Sequence, residues 1–136
     1  MRHYNQKDWY ELNRDPCSRI ETIRAHFTGH AYDPHWHDSY LIGVTEQGVQ
    51  QFKCRAEQQV CVPGTSFLLD PEEIHDGTAP SEDGFTYRML FISPELFQQR
   101  IRQLFPKVPD NFEFSVNKTL SQDNLLSASI CSGQLI

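Results

Sequence analysis

The stretch "DPHWHDSYLIGVTEQGVQQF", residues 33–52, carries the strongest fold information in the chain. Two histidines, His35 and His37, stand one residue apart at its start. Residues 39–46 are rich in β-formers, Gln47-Gly48 is suited to a tight turn, and residues 49–55 return with a second apolar pattern. Two such runs around a glycine turn are typical of a β-hairpin. The stretch therefore predicts two antiparallel strands that follow a pair of histidines.

The same kind of pattern extends on both sides of this hairpin. Further strands are predicted at 20–27, 56–62, 65–69 and 85–93, giving about seven short strands with frequent turn signals when a short one at 111–116 is included. Helical spacing begins after Ser93, which is suited to be an N-cap because Pro94 follows it. A second helix is predicted from Thr119 or Ser121. This order predicts an all-β barrel or sandwich with a C-terminal α-helix.

Composition and charge narrow the class of protein. The 136 residues suffice for one domain, and the net charge of −6 gives no general attraction for nucleic acid. No apolar run is long enough for a membrane helix, and the polar N-terminus is unlike a signal peptide, so a cytoplasmic location is expected. Cys54 and Cys61 could face each other across a hairpin, but a disulfide is not expected in that compartment.

The two histidines are the first candidates for a site. If residues 34–40 enter the strand, His35 and His37 share a face with Leu41 because side chains alternate along a strand. A third histidine, His75, follows a predicted buried strand. Three imidazoles that converge would suit a divalent metal such as zinc, iron, nickel or manganese.

A series of short motifs resembles a known family. The residues that carry the resemblance occur in the family's order: Pro34, His35, His37, Glu46, Gly48, Pro63, Gly64, Pro71 and His75. They resemble the two sequence blocks of a cupin, and more closely the N-terminal effector-binding domain of AraC-type transcription regulators. The resemblance covers about residues 20–105, including the strand 85–93 and the helix that follows it.

This resemblance implies a cupin-like double-stranded β-helix, or jelly-roll barrel, with a small-molecule pocket. It implies an N-terminal arm at 1–18, the barrel at 19–93, and a truncated helical dimerisation region at 94–136. A homodimer is expected in the full-length regulator. Contact with DNA is expected only through a C-terminal helix-turn-helix domain, so the sequence is expected to be a fragment, and no membrane partner is expected.

One position departs from the metal-binding cupin pattern. Those cupins place a glutamate four or five residues after the second histidine, where this chain has Leu41 and Ile42. Three roles for the histidines therefore stay open: contacts to a ligand or to the fold, a metal that holds an effector, and a catalytic metal. We expect an effector sensor that needs no cofactor, with a metal-dependent dioxygenase or isomerase as the alternative.

Four other residues are candidates for the pocket wall. Arg88 and Arg24 lie in predicted strands, and a guanidinium inside the barrel would hold an effector carboxylate through two parallel hydrogen bonds. The alternative for Arg88 is a solvent-facing ion pair. Trp36 and Tyr40 share one face and are either packing residues or an aromatic wall of the pocket.

Overall fold

The computed structural model describes residues 8–108 and 119–120. Within these residues the chain forms short strands followed by one helix. The strands are β1 (Trp9–Arg14), β2 (Glu21–Phe27), β3 (His30–His35), β4 (Tyr40–Gly48), β5 (Gln50–Cys54), β6 (Glu57–Cys61), β7 (Ser66–Leu69), β8 (His75–Thr78), β9 (Phe85–Ile92) and β10 (Thr119–Leu120), and the helix is α1 (Pro94–Leu104).

The strands form two antiparallel sheets. The larger sheet has the order β1-β2-β9-β4-β7-β10, and the smaller has the order β3-β8-β5-β6. Chain neighbours β4 and β5 lie in different sheets, so the chain crosses between the layers in the manner of a jelly roll. The two strands predicted around Gln47-Gly48 are present, but the hairpin predicted from them is wrong, because β4 pairs with β7 and β9 while β5 pairs with β6 and β8. The prediction of an all-β fold with a C-terminal helix is confirmed.

Alternation along the strands decides what lies between the sheets. On β9, Phe85, Tyr87 and Met89 are buried while Arg88 and Leu90 are exposed. Gly43 on β4 has no room for a side chain, because a Cβ there would lie 2.1 Å from the Phe67 ring. The core consists of the following residues: Ala25, Ala31, Leu41, Phe52, Cys54, Cys61, Phe67, Leu69, Ala79, Phe85, Tyr87 and Met89.

The helix begins as predicted. Ser93 has extended backbone angles, and its hydroxyl accepts a hydrogen bond of 3.2 Å from the Leu96 N–H. This bond satisfies one of the free donors in the first turn. Phe97 stacks on Tyr40 of β4 with ring centroids 4.2 Å apart, which attaches the helix to the larger sheet.

Four strands were not predicted. β3 and β8 lie in segments that the sequence pattern assigns to loops, β1 lies in the predicted arm, and β10 lies where a second helix was predicted to begin. β3 is an edge strand whose register with β8 shifts twice, which accommodates Pro34. β1 pairs with β2 in continuous register from Trp9 opposite His26 to Arg14 opposite Glu21, so an arm outside the sheet is the wrong description for its six residues.

Two further expectations can be compared with the described residues. Cys54 lies opposite Glu57 and Cys61 opposite Gln50, so the two residues do not face each other and neither forms a disulfide. The strand predicted at 111–116 lies outside the described residues, as does the body of the helix predicted after Thr119. Thr119 itself lies in a two-residue strand that pairs with β7. No described helix is long and apolar enough to cross a membrane.

Candidate metal centre and ligand cavity

Three histidines come together at one end of the barrel. His35 ends β3, His75 begins β8 directly opposite it, and His37 lies in the connection between β3 and β4. One nitrogen from each ring lies within 4.8 Å of the other two. The carbonyl of His37 accepts a 2.7 Å hydrogen bond from the Glu72 N–H. This bond joins the connection that carries His37 to the loop that precedes His75.

Hydrogen bonds to the backbone fix two of the rings. Nδ1 of His35 donates to the carbonyl of Asp33 at 2.7 Å, and Nδ1 of His75 donates to the carbonyl of Glu73 at 3.0 Å. A carbonyl only accepts, so each Nδ1 carries the proton. In this tautomer the lone pair lies on Nε2.

Burial keeps the rings of His37 and His75 neutral. The pKa of His37 is lowered to about 4, mainly by desolvation and further by its neighbours His35 and His75. Desolvation also lowers the pKa of His75. A charged imidazolium would lose its hydration here and meet like charges nearby. Both rings therefore offer lone pairs at neutral pH.

A second layer of contacts supports His75. The Arg55 Nε lies 2.6 Å from Oε1 of Glu73, and Oε2 of Glu73 accepts a 2.9 Å hydrogen bond from the Asp70 N–H. The carboxylate therefore holds the turn whose carbonyl orients His75. Outer contacts of this kind orient metal-binding histidines in many proteins.

The three imidazoles fit a divalent metal. Burial keeps His37 and His75 neutral, backbone carbonyls lock His35 and His75 in one tautomer, and all three rings place a nitrogen in the same cluster. Leu41, at an inward position near them, is 1% exposed and supplies no donor atom. Among residues 8–108 the group of potential ligands contains only these histidines. A bound ion would keep an open position, as in sites where metals bind a small molecule.

A cavity of about 630 Å³ opens beside His37. It lies between the first β-hairpin, the β3–β4 connection, the end of β9 and the first turn of α1. Its lining consists of Leu12, Arg14, Ser18, Arg19, Glu21, Ile23, His37, Asp38, Ser39, Phe91, Ser93 and Glu95. The volume falls in the range of small-molecule sites. A molecule bound here would touch both the barrel and the helix.

The two arginines proposed for the pocket lie elsewhere. Arg24 and Arg88 are opposite each other on β2 and β9, with side chains 41% and 64% exposed on the outer face of the larger sheet. Both contact the carboxylate of Glu46, and the Arg24 distance is 3.0 Å. The hypothesis of an arginine clamp inside the barrel is therefore corrected. The aromatic residues of β9 occupy the interior, and the alternating arginines face outward.

Three other residues proposed for the pocket, Trp36, Tyr40 and Leu41, also lie outside the cavity lining. Trp36 is 54% exposed, and Tyr40 packs on α1, so neither forms the predicted aromatic wall. Leu41 has the inward orientation that was predicted, but it belongs to the core. The first hairpin supplies the part of the cavity wall that the sequence did not suggest, including Leu12 and Arg19. Of the residues that the sequence proposed for the pocket, His37 lies in the cavity wall.

Comparisons with known proteins agree with this architecture. The model of the family described as AraC-like ligand binding domain matches residues 19–129. An uncharacterized HTH-type transcriptional regulator of Bacillus subtilis, YbfI, is 27% identical over 101 residues, which are 73% of this chain and 36% of that protein. The chain thus spans about a third of the length of this curated relative.

Solved structures show the cupin fold. The Cupin_2 domain of an XRE family transcriptional regulator from Enterobacter cloacae is 15% identical, with a TM-score of 0.57 over 65% of this chain and 99% of that domain. A structure of DMSP lyases is also 15% identical, with a TM-score of 0.55 over 62% of this chain and 46% of that one. The same barrel therefore occurs in a regulator and in enzymes.

Proposed function

Because the chain belongs to the AraC-like ligand-binding domain family, we propose that it is the sensing domain of an AraC-type transcription regulator, with a small-molecule effector bound in the cavity beside His37. The observation that carries this proposal is the cavity lining, which combines barrel residues with Ser93 and Glu95 of the helix start. An effector would thereby touch the element that leads out of the barrel.

The mechanism is a shift between two arrangements of α1. The helix has no fully buried residue, and its Phe97 stacks on Tyr40 of the larger sheet. An element without fully buried side chains needs less free energy to move than a strand of the core. An effector that contacts Glu95 in only one arrangement would favour that arrangement, by no more than its difference in affinity for the two.

The output is proposed to reach DNA through another domain of the regulator. The acidic charge of this chain does not suit phosphate contacts. A homodimer would present two DNA-binding domains to paired half-sites, and the position of α1 would set their spacing. Such a regulator acts in the cytoplasm.

The three histidines are proposed to assist as a metal site. His35, His37 and His75 would hold a divalent cation, which when bound supplies a Lewis acid for an oxygen or nitrogen of the effector. The carbonyls of Asp33 and Glu73 orient the rings of His35 and His75 by accepting hydrogen bonds from their Nδ1 atoms.

A second candidate function is a metal-dependent enzyme of the dioxygenase or isomerase type. The three-histidine set with an open position favours it, since catalytic metal sites share that feature. No carboxylate of residues 8–108 joins the set, so a general base is the missing part. Family membership favours the sensor.

Ligand screening of the purified chain tests the proposed function. Compounds that raise Tm are followed by ¹H-¹⁵N NMR, and we expect shifts at residues of the cavity wall and in α1. Leu12→Trp should block the cavity, because Leu12 lines it and is 57% exposed. Leu90→Trp is the matched control, since Leu90 is an exposed leucine on the outer face.

One result would contradict the cavity as the effector site, and another would contradict the sensor. Hits that bind Leu12→Trp as tightly as the unmodified chain would move the site away from the cavity. A bound compound that is converted to product by the metal-loaded chain, and not by His35→Ala/His37→Ala, would favour the enzyme. An effector recovered unchanged supports the sensor.

A further inference from the structure

The turn that joins β1 to β2 holds an arginine where the backbone favours glycine. Arg19 has a φ of +65°, in the left-handed region that side chains other than glycine, asparagine and aspartate seldom adopt. A hairpin that closes with a residue in this conformation normally has glycine there. The sequence keeps a long cationic side chain at a position where it is strained.

Hydrogen bonds within the turn stabilise this backbone conformation of Arg19. The Arg19 N–H donates to the Asp15 carbonyl at 2.8 Å, and the Asp15 N–H donates to the Ile20 carbonyl at 3.0 Å. The Asp15 carboxylate also accepts from the N–H and the hydroxyl of Ser18, both at 2.7 Å. The turn is therefore fixed, and the Arg19 side chain starts from a defined point.

That side chain lines the cavity and has no ionic partner within residues 8–108. The neighbouring cation, Arg14, lies 3.9 Å from Glu21, which accounts for one of the cavity's three acids. Arg19 is the cation left available for a ligand. Its guanidinium offers a pair of parallel donors that match the two oxygens of a carboxylate.

From this placement we infer that the cavity is selective for small monocarboxylates, whose carboxylate is held by Arg19 and whose apolar part lies against Leu12, Ile23 and Phe91. This inference rests on the proposed function and names the chemical class of the effector. The acids Asp38 and Glu95 also line the cavity, and their charges disfavour a second negative group on the ligand. A monocarboxylate supplies one negative group for Arg19 and brings no second one near Asp38 and Glu95.

The test uses hexanoate and hexanamide, which have the same carbon chain and differ in charge. Each is titrated into the chain at pH 7.5 and followed by ¹H-¹⁵N NMR at the cavity residues. We expect hexanoate to bind at least about tenfold more tightly than hexanamide, the ratio that one charge-assisted bidentate pair supplies. Succinate should bind more weakly than hexanoate.

Arg19→Gly separates binding from folding. The substitution removes the backbone strain, so we expect Tm to rise by roughly 3 °C, while the preference for hexanoate over hexanamide falls to about one. Arg19→Asn, which also tolerates the left-handed region, should lose the preference in the same way. Arg88→Ala is the matched control, because it removes an arginine outside this cavity and should keep the preference.

Each outcome decides one of the two proposals. Equal binding of both compounds to the cavity, unchanged in Arg19→Gly, would overturn the carboxylate inference and leave the sensor proposal standing. A preference that survives in Arg19→Gly would overturn the role of Arg19. Failure of both compounds to shift any cavity residue at 20 mM would overturn the inference and count against the cavity as the effector site as well.

Discussion

Adding Zn²⁺ to the chain at pH 7.5 should raise its Tm, and replacing His37 by alanine should abolish that rise. The rings of His35, His37 and His75 present nitrogens within 4.8 Å of one another. Two nitrogens on one tetrahedral zinc ion are about 3.4 Å apart, because each Zn–N bond is about 2.1 Å long. The ring nitrogens therefore need to approach one another by at most about 1.4 Å to bind zinc.

The size of the rise follows from mass action. With free zinc at 100 times its dissociation constant, the native state gains about 2.7 kcal/mol, which for a domain of roughly 100 ordered residues raises Tm by about 10 °C. A site with two histidines and a dissociation constant a thousand times higher would gain less than about 0.1 kcal/mol at the same zinc concentration.

Differential scanning calorimetry with and without zinc measures this difference in each variant, so any effect of a substitution on the metal-free fold cancels. Elemental analysis gives the stoichiometry, which we expect to be one ion per chain. The matched control is His26→Ala, since His26 lies in the larger sheet and bonds Thr86 at 2.8 Å, away from the cluster. A rise of equal size in His37→Ala would refute the assignment of the ligands.

Three further outcomes test the fold around the site. Gly43→Ala should lower the free energy of unfolding by about 1–3 kcal/mol, because the added methyl group overlaps the Phe67 ring; urea unfolding measures it, and Gly43→Ala/Phe67→Leu should recover part of the loss. The pKa of Glu46 is lowered, mainly by its hydrogen bond to Arg24, so this carboxylate stabilises the fold above its unfolded pKa of about 4.3 and loses that contribution as pH falls below it. Between pH 6 and pH 3 the free energy of unfolding should thus fall more for the unmodified chain than for Glu46→Gln, by a few tenths of a kcal/mol. Thermal unfolding at each pH measures this difference, and parallel curves for the two proteins would contradict the ion pair. Phe97→Ala should speed amide exchange in α1 while leaving exchange in β9 unchanged, and equal acceleration in both would show that the helix does not move independently.

The strands β4 and β5 and the helix start could be predicted because local chemistry determines them, whereas the pairing of β4 with β5 could not. Apolar alternation on either side of Gln47-Gly48 specifies the two strands, and Ser93 with Pro94 specifies where α1 begins. These signals act over a few residues and need no distant partner. The ordered histidine and glycine motifs supplied the family for the same reason.

The strand β8 could not be predicted, because contacts with residues distant in the sequence determine it. Its residues are "HDGT", which have low strand propensity. Gly77 is required because the ring of Tyr32 on β3 lies where a Cβ would be, at 2.3 Å. A neighbour that is distant in the sequence therefore explains this residue, and no local pattern reveals it.

The orientation of the arginines was predicted wrongly, because alternation along a strand does not show which of its two faces lies inside the barrel. Alternation shows that Arg88 and Leu90 share one face of β9, but it does not say which face is inner. The larger apolar surface of Phe85 and Tyr87 decides that question, since burial of aromatic area outweighs burial of a charge. Arg19 escaped notice for another reason: its importance comes from a backbone angle, which a sequence pattern does not report.

The helix α1 is anchored to the barrel at both of its chain ends. The chain leaves the larger sheet at Ile92 and returns to it at Thr119, which pairs with Phe67. A segment closed on itself in this way has less conformational freedom than a free tail. Both flanking strands can therefore stay paired while the helix tilts or slides between the two arrangements proposed for it, so the barrel need not open for that shift.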